Sequence, residues 1–192
     1  MTAGNAAAIP YMEEAYRLDT TFASSLTFLG AIYGNQGRWA AADSVLAILT
    51  PRRSDLSRDD ALYLEYLLAR NAGDNRGRLN AARAMSEIDP YTAGYTHGNA
   101  AMFEGRPGEA VEALTRTDPD DPLWREWSAY WSSLSQAHFA LGQYEEALAT
   151  ALGYRERFPN SFSARQYEMA ALIGLGRLDE VPALLDDVET ME

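Results

Sequence analysis

One stretch of the chain sets the terms for the rest. Leu26, Leu29, Gly30 and Tyr33 are followed by Gly37, then by Ala42 and Leu46, at steps of three and four on either side of the central glycine. Such spacing puts apolar side chains on one face of a helix, so the stretch predicts two short amphipathic helices with a turn at Gly37 and Arg38. Gly30 and Ala42 are small where two helices must approach closely, and Leu29, Tyr33 and Leu46 fill the space around them.

The pattern recurs. Gly37, Gly73, Gly105, Gly142 and Gly176 are separated by 36, 32, 37 and 34 residues. In the fourth unit Trp131-x2-Leu134 precedes Gly142, with Tyr144, Ala147 and Pro159 after it. In the second, Leu62 and Ala69 precede Gly73 and Pro90 closes the unit, but Arg78 stands where a small residue is expected, which implies a looser contact. The third keeps Gly98 and Ala110 and is cut short at Asp118-Pro119. The fifth keeps Leu172 and Gly176, with Val181 in place of Ala.

This register resembles the tetratricopeptide repeat, W-x2-L-G-x2-Y followed by Ala, Phe and a closing Pro over about 34 residues. The resemblance covers essentially the whole chain and implies an all-α fold, a right-handed α-solenoid of antiparallel helix pairs with about 11 helices. A closed helical bundle with chance periodicity is the alternative. On this reading 1–192 is a single solenoid, with a half repeat at 1–20 and repeats at 21–56, 57–90, 91–121, 122–160 and 161–192, cut from a longer protein. Two phrases, Trp39 to Leu46 and Leu56 to Leu62, are similar to regions found C-terminal to bacterial Ser/Thr kinase domains and in multidomain signalling regulators.

Local signals place the helices. Pro10 sits past the first turn of a helix at 5–18 and predicts a kink or a later start. Ser57-x2-Asp60 reads as an N-cap for the helix that follows. Gly94 and Gly98 weaken a helix at 91–104 by roughly 1 kcal/mol each relative to Ala. Leu123 to Leu141 reads as the longest helix, carrying Trp124, Trp127 and Trp131 on one face. Trp131 matches the motif and is expected to be buried, and Trp124 is the expected exposed aromatic. Asp179 is the expected N-cap of the last helix, with Pro182 in its first turn.

Composition removes several functions. The formal net charge is −12 and all 16 basic residues are arginine, which argues against binding a phosphate backbone. The absence of cysteine excludes disulfides, thiolate metal sites and cysteine nucleophiles. No basic leader or run of about 18 apolar residues is present, so no signal peptide or membrane span is expected and a cytoplasmic location is the default.

Catalytic chemistry has little to build on. The two histidines, His97 and His138, lie on different repeats; both read as packing residues, with a groove role as the alternative for His97. No metal or cofactor motif occurs. The acidic run Asp118 to Asp121 lies between prolines and reads as a capped, solvated loop. Glu13-Glu14, Asp59-Asp60, Glu145-Glu146 and Asp186-Asp187 read as solvated helix faces. Arg52-Arg53-Ser54 resembles a basophilic phosphorylation site, and loop chemistry explains it equally well.

The resemblance implies that the first helix of each repeat lines a groove. Carried onto this sequence, the register places Thr27, Tyr63, Arg70, Asn71, Tyr95, Asn99, Phe103, Gln136, Phe139 and Gln166 there. Aromatic and amide groups with one arginine suit a protein or peptide segment, so the expectation is a non-catalytic interaction scaffold. Alternatives are a regulatory or self-association region of a larger signalling enzyme such as a kinase, and an all-helical hydrolase using one glutamate. The lysines with which chaperone-binding members of the family grip a terminal carboxylate are missing: Thr27 and Tyr95 stand in their places. Tyr63→Ala with Tyr95→Ala is expected to leave stability nearly intact.

Overall fold

A computed structural model describes residues 2–121, 124–189 and 191. Among them are eleven α-helices, two short 3-10 turns and no strand. The chain divides into two compact units, 1–88 and 89–192. The first holds α1 (Thr2–Leu18), α2 (Ala23–Asn35), α3 (Trp39–Leu49), α4 (Arg58–Ala72) and α5 (Asn75–Ile88). The second holds α6 (Gly94–Phe103), α7 (Pro107–Leu114), α8 (Ser128–Ala140), α9 (Tyr144–Arg157), α10 (Phe162–Gly174) and α11 (Val181–Glu189).

The five glycines of the sequence repeat are the turns. Each has φ between +71° and +73°, and no other described residue has positive φ. An L-residue with a Cβ resists that conformation, which is why glycine ends these helices. At all five turns the first helix closes in one motif. At Gly37, Gly105, Gly142 and Gly176 the glycine N–H donates to the carbonyl three residues back at 3.0–3.1 Å, and the next N–H donates to the carbonyl five back, as in Arg38 to Tyr33 and Gln143 to His138, at 2.8–3.0 Å. Gly73 does the same, at 3.2 Å to Arg70 and with Asp74 reaching Ala69 at 2.9 Å. These bonds satisfy carbonyls that a helix end would leave orphaned and reverse the chain within two residues.

In the first unit α2 packs on α3 and α4 on α5, and α2 also meets α4. Leu26, Leu29, Leu46, Leu49, Leu64, Leu67 and Leu79 form the buried interior. A Cβ on Gly30 would stand 2.6 Å from Leu46 Cδ2, so this pair meets as closely as the spacing predicts. Ser57 caps α4 as expected, its Oγ accepting from Asp60 N–H at 3.1 Å. The Asp60 carboxylate in turn accepts from Ser24 Oγ at 3.0 Å and ties the start of α4 to α2. Arg78 does not loosen its contact. It is buried, donates to the Tyr66 hydroxyl at 2.7 Å and lies over the Tyr66 ring, while the small surface is supplied by Ala81 and Ala82. Helix α1 runs through Pro10, so the later start is not adopted.

In the second unit α6 pairs with α7, α8 with α9 and α10 with α11, and α6 meets α8 as α8 meets α10. One cluster joins Leu114, Tyr130 and Leu134 with Tyr95, Val111 and Trp131; another joins Ala147, Leu148, Ala171, Leu172 and Leu184. Gly98 offsets its poor helix propensity by contact, since a Cβ there would lie 2.5 Å from Leu114 Cγ and 3.1 Å from the Ala110 carbonyl. The third pair is therefore tight although its sequence is irregular.

Besides α1 beginning at Thr2 and α6 at Gly94, two boundaries differ from expectation. Helix α8 begins at Ser128, and Trp124 to Glu126 form a turn before it; Leu123 lies outside the described residues. Trp124 is buried against Tyr95 and Trp127, and burying that ring against α6 outweighs continuing the helix by one more turn. Asp179 falls in a 3-10 turn, Leu178–Glu180, and α11 begins at Val181. The acidic loop is fastened by Arg157, which donates to the Pro119 carbonyl at 3.2 Å and pairs with Asp120.

Ala42 and Ala147 are 0% and 2% exposed. Ala42→Trp or Ala147→Trp is expected to lower stability by about 1–3 kcal/mol through overpacking, read as a fall in the melting midpoint; unchanged melting discredits the register. Gly142→Ala forces a side chain into positive φ and is expected to cost about 1–2 kcal/mol, checked by urea unfolding.

Candidate partner-binding face

The helices that open each pair touch one another within a unit, α2 with α4, α6 with α8 and α8 with α10. They form a row in each unit, and the residues assigned to a groove lie on these rows. Their environments differ sharply.

Thr27 is 1% exposed and its hydroxyl donates to the Ser24 carbonyl at 3.0 Å, so it is scaffold. Tyr63 is half-buried, its ring stacked on Tyr66 with centroids 6.1 Å apart, and burial raises its hydroxyl above the ordinary value. Arg70 and Asn71 are half-buried beside it. The Arg70 guanidinium donates to the Gly30 carbonyl at 3.3 Å, to Asn35 Oδ1 at 3.2 Å and to Asn71 Oδ1 at 3.4 Å. Burial draws its pKa below the ordinary arginine value, though arginine stays charged at neutral pH. Asn71 Nδ2 donates to Asp43 at 3.0 Å.

In the second unit Tyr95 is half-buried, with ring centroids 6.1 Å from Trp124 and 5.5 Å from Trp127. Tyr95 also packs on the Leu114 cluster. It is a packing residue at least as much as a contact residue, and the expectation that it can be removed at little cost does not fit this position. Asn99 is half-buried and Gln136 is exposed, its amide donating to the Tyr167 hydroxyl. Phe103 and Phe139 are 58% and 43% exposed, and Phe139 leans on Tyr144 at 5.3 Å. Gln166 is exposed. Trp124, expected outside, is 9% exposed, while Trp127 is 42% exposed. Trp131 is half-buried, edge-on to Tyr130 with Arg157 over its ring. Trp127 belongs to the same stripe of tryptophans; only the break before α8 decides which of them faces out.

The titratable groups are arranged for packing. His97 is buried with Nε2 2.8 Å from Glu109 Oε1, and His138 Nδ1 lies 2.8 Å from Gln143 Oε1. Among the described residues no three His, Asp or Glu side chains converge as a metal site would require, and no helix is long and apolar enough to cross a membrane. A polar cleft of about 540 Å³ opens beside α9, α10 and α11, lined by Leu152, Arg155, Glu156, Pro159, Arg165 and Asp187. Arg165 donates to Asp187 at 2.5 Å and Arg155 lies 3.0 Å from the buried Glu168. Burial raises the Glu168 carboxyl above its ordinary value, and the two arginines oppose this.

The described helices and their turns have the fold of tetratricopeptide-repeat proteins. The chain is similar to a putative kinesin light chain of Podosopora anserina with nearly identical TPR-like repeats, at 19% identity over 88% of this chain and 93% of that one, with a TM-score of 0.67. It is similar also to the MamA protein, at 16% identity over 85% and 88% of the two chains with a TM-score of 0.63. A third is a thermophilic TPR protein of Thermus thermophilus, at 17% identity over 88% and 91% with a TM-score of 0.61. No protein-family model matches the sequence, and no curated protein matches it. At these identities the likeness is one of fold.

Tyr95→Ala is expected to destabilise the second unit by about 1–2 kcal/mol, since a half-buried ring and its aromatic partners are lost; calorimetric melting reads this directly. Glu168 holds its proton more tightly folded than unfolded, so its contribution is present below about pH 4.3, the ordinary glutamate value, and is lost as pH rises through the raised one. The melting temperature of the wild type should therefore fall relative to Glu168→Gln between pH 4 and pH 7, and parallel curves would remove Glu168 from the balance.

Proposed function

We propose that this chain is a non-catalytic scaffold that binds a protein or peptide segment on the opening-helix rows. The observation that carries the reading is the exposure of large aromatic groups on one such row. Phe103 and Phe139 are 58% and 43% exposed on α6 and α8, with the exposed amide of Gln136 on the same helices. Exposed aromatics beside amides are what a contact surface needs, because a few such anchors carry most of the binding energy. In the first unit Tyr63, Arg70 and Asn71 occupy the corresponding helix α4. The packing roles of both histidines, and the TPR fold itself, favour recognition over catalysis.

The test is a pull-down from lysate comparing wild type with Phe103→Ala combined with Phe139→Ala. Loss of co-purifying protein with an unchanged melting temperature is the expected outcome. Equal recovery by both forms places recognition elsewhere, and sedimentation of the purified chain as a dimer would favour self-association instead.

A further inference from the structure

Several arginines among the described residues pair with carboxylates: Arg17 with Glu14, Arg53 with Glu65, Arg155 with Glu168, Arg157 with Asp120, Arg165 with Asp187 and Arg177 with Glu180. Arg70 is different. Its partners are three neutral oxygens, all at 3.2–3.4 Å. The chain has 28 acidic residues against 16 arginines, so a carboxylate would be easy to supply, and Asp43 comes as near as Asn71 Nδ2. A half-buried cation that keeps only neutral partners forfeits hydration without a matching charge.

The surroundings hold it in that state. A Cβ on Gly34 would run into the Arg70 guanidinium, so glycine on α2 leaves the space in which the group lies. The Gly30 carbonyl and the Asn35 and Asn71 amides fix its plane, and the stacked Tyr63 and Tyr66 rings stand beside it. A planar guanidinium already oriented loses little entropy on meeting a carboxylate, and beyond its four hydrogen bonds it keeps one Nη1 N–H to donate.

We infer that Arg70 anchors an internal acidic side chain, Asp or Glu, of the bound segment, and that Tyr63 takes an apolar neighbour of that residue. This rests on the scaffold reading above and names its partner chemistry. The net charge of −12 acts at longer range and favours segments that are otherwise basic; selection at contact belongs to Arg70.

The test uses three pools of synthetic dodecapeptides, randomised except for flanking lysines and one central position, passed over the immobilised full chain. One pool has central Glu and an amidated C-terminus, the second central Gln and an amidated C-terminus, and the third central Gln and a free C-terminus. Wild type should retain the Glu pool about five-fold or more over the Gln pool, in line with a charge-assisted contact. Arg70→Gln should abolish that preference and Arg70→Lys retain part of it. Gly34→Ala, which raises helix propensity while displacing the guanidinium, should reduce the preference with melting intact. Equal retention of both amidated pools by wild type, a preference that survives Arg70→Gln, or a preference for the free C-terminus alone overturns the assignment. Retention of none of the pools counts against the scaffold reading itself.

Discussion

A glycine in the left-handed region, placed once per repeat, is the constraint from which the rest of this structure follows. The α-helix has no internal means of reversing direction, and its last carbonyls need donors from somewhere. At Gly37, Gly73, Gly105, Gly142 and Gly176 the backbone supplies those donors itself and turns back on the preceding helix. The two helices then lie antiparallel at short range, and small residues such as Gly30, Ala42, Gly98 and Ala147 become necessities where they face a neighbour. Leucines fill what remains. Within each unit the helices of a pair bury one face against each other and another against a neighbouring pair.

That economy leaves a clear division of labour. Motif positions hold helices together, and several positions between them, Phe103, Gln136 and Phe139 among them, lie exposed. Arg78 illustrates how far a motif position can drift: a large cation replaces a small residue, yet a tyrosine hydroxyl and ring receive it and neighbouring alanines keep the helices close. Arg157 performs a comparable service for the Asp118 to Asp121 loop, which without it would be a run of mutually repelling carboxylates. Arg70 is fastened too, but by neutral oxygens of Gly30, Asn35 and Asn71.

The opening-helix rows show the same division from the outside. In the first unit the row is polar and partly enclosed, centred on Tyr63 and Arg70. In the second it is aromatic and open at Phe103 and Phe139, while Tyr95 is drawn into packing by Trp124 and Trp127. Under the proposed function the two units offer two kinds of contact, one selecting charge and one burying apolar surface.

The sequence by itself determined the helices, their pairing and the turns, because those depend on local spacing and on the one residue type that tolerates positive φ. It also placed the Ser57 cap, since a cap is a contact over three residues. It could not say which tryptophan is buried, that α8 begins at Ser128, or that Tyr95 is held by two indoles, because each depends on rings brought together from different helices. Nor could it tell an arginine with a carboxylate partner from one without. Arg70 and Arg165 are equivalent in the sequence, and only packing against Gly30 and Gly34 in one case, and beside Asp187 in the other, gives them different partners. Periodicity reports which side of a helix faces inward; what waits there is decided by the neighbour.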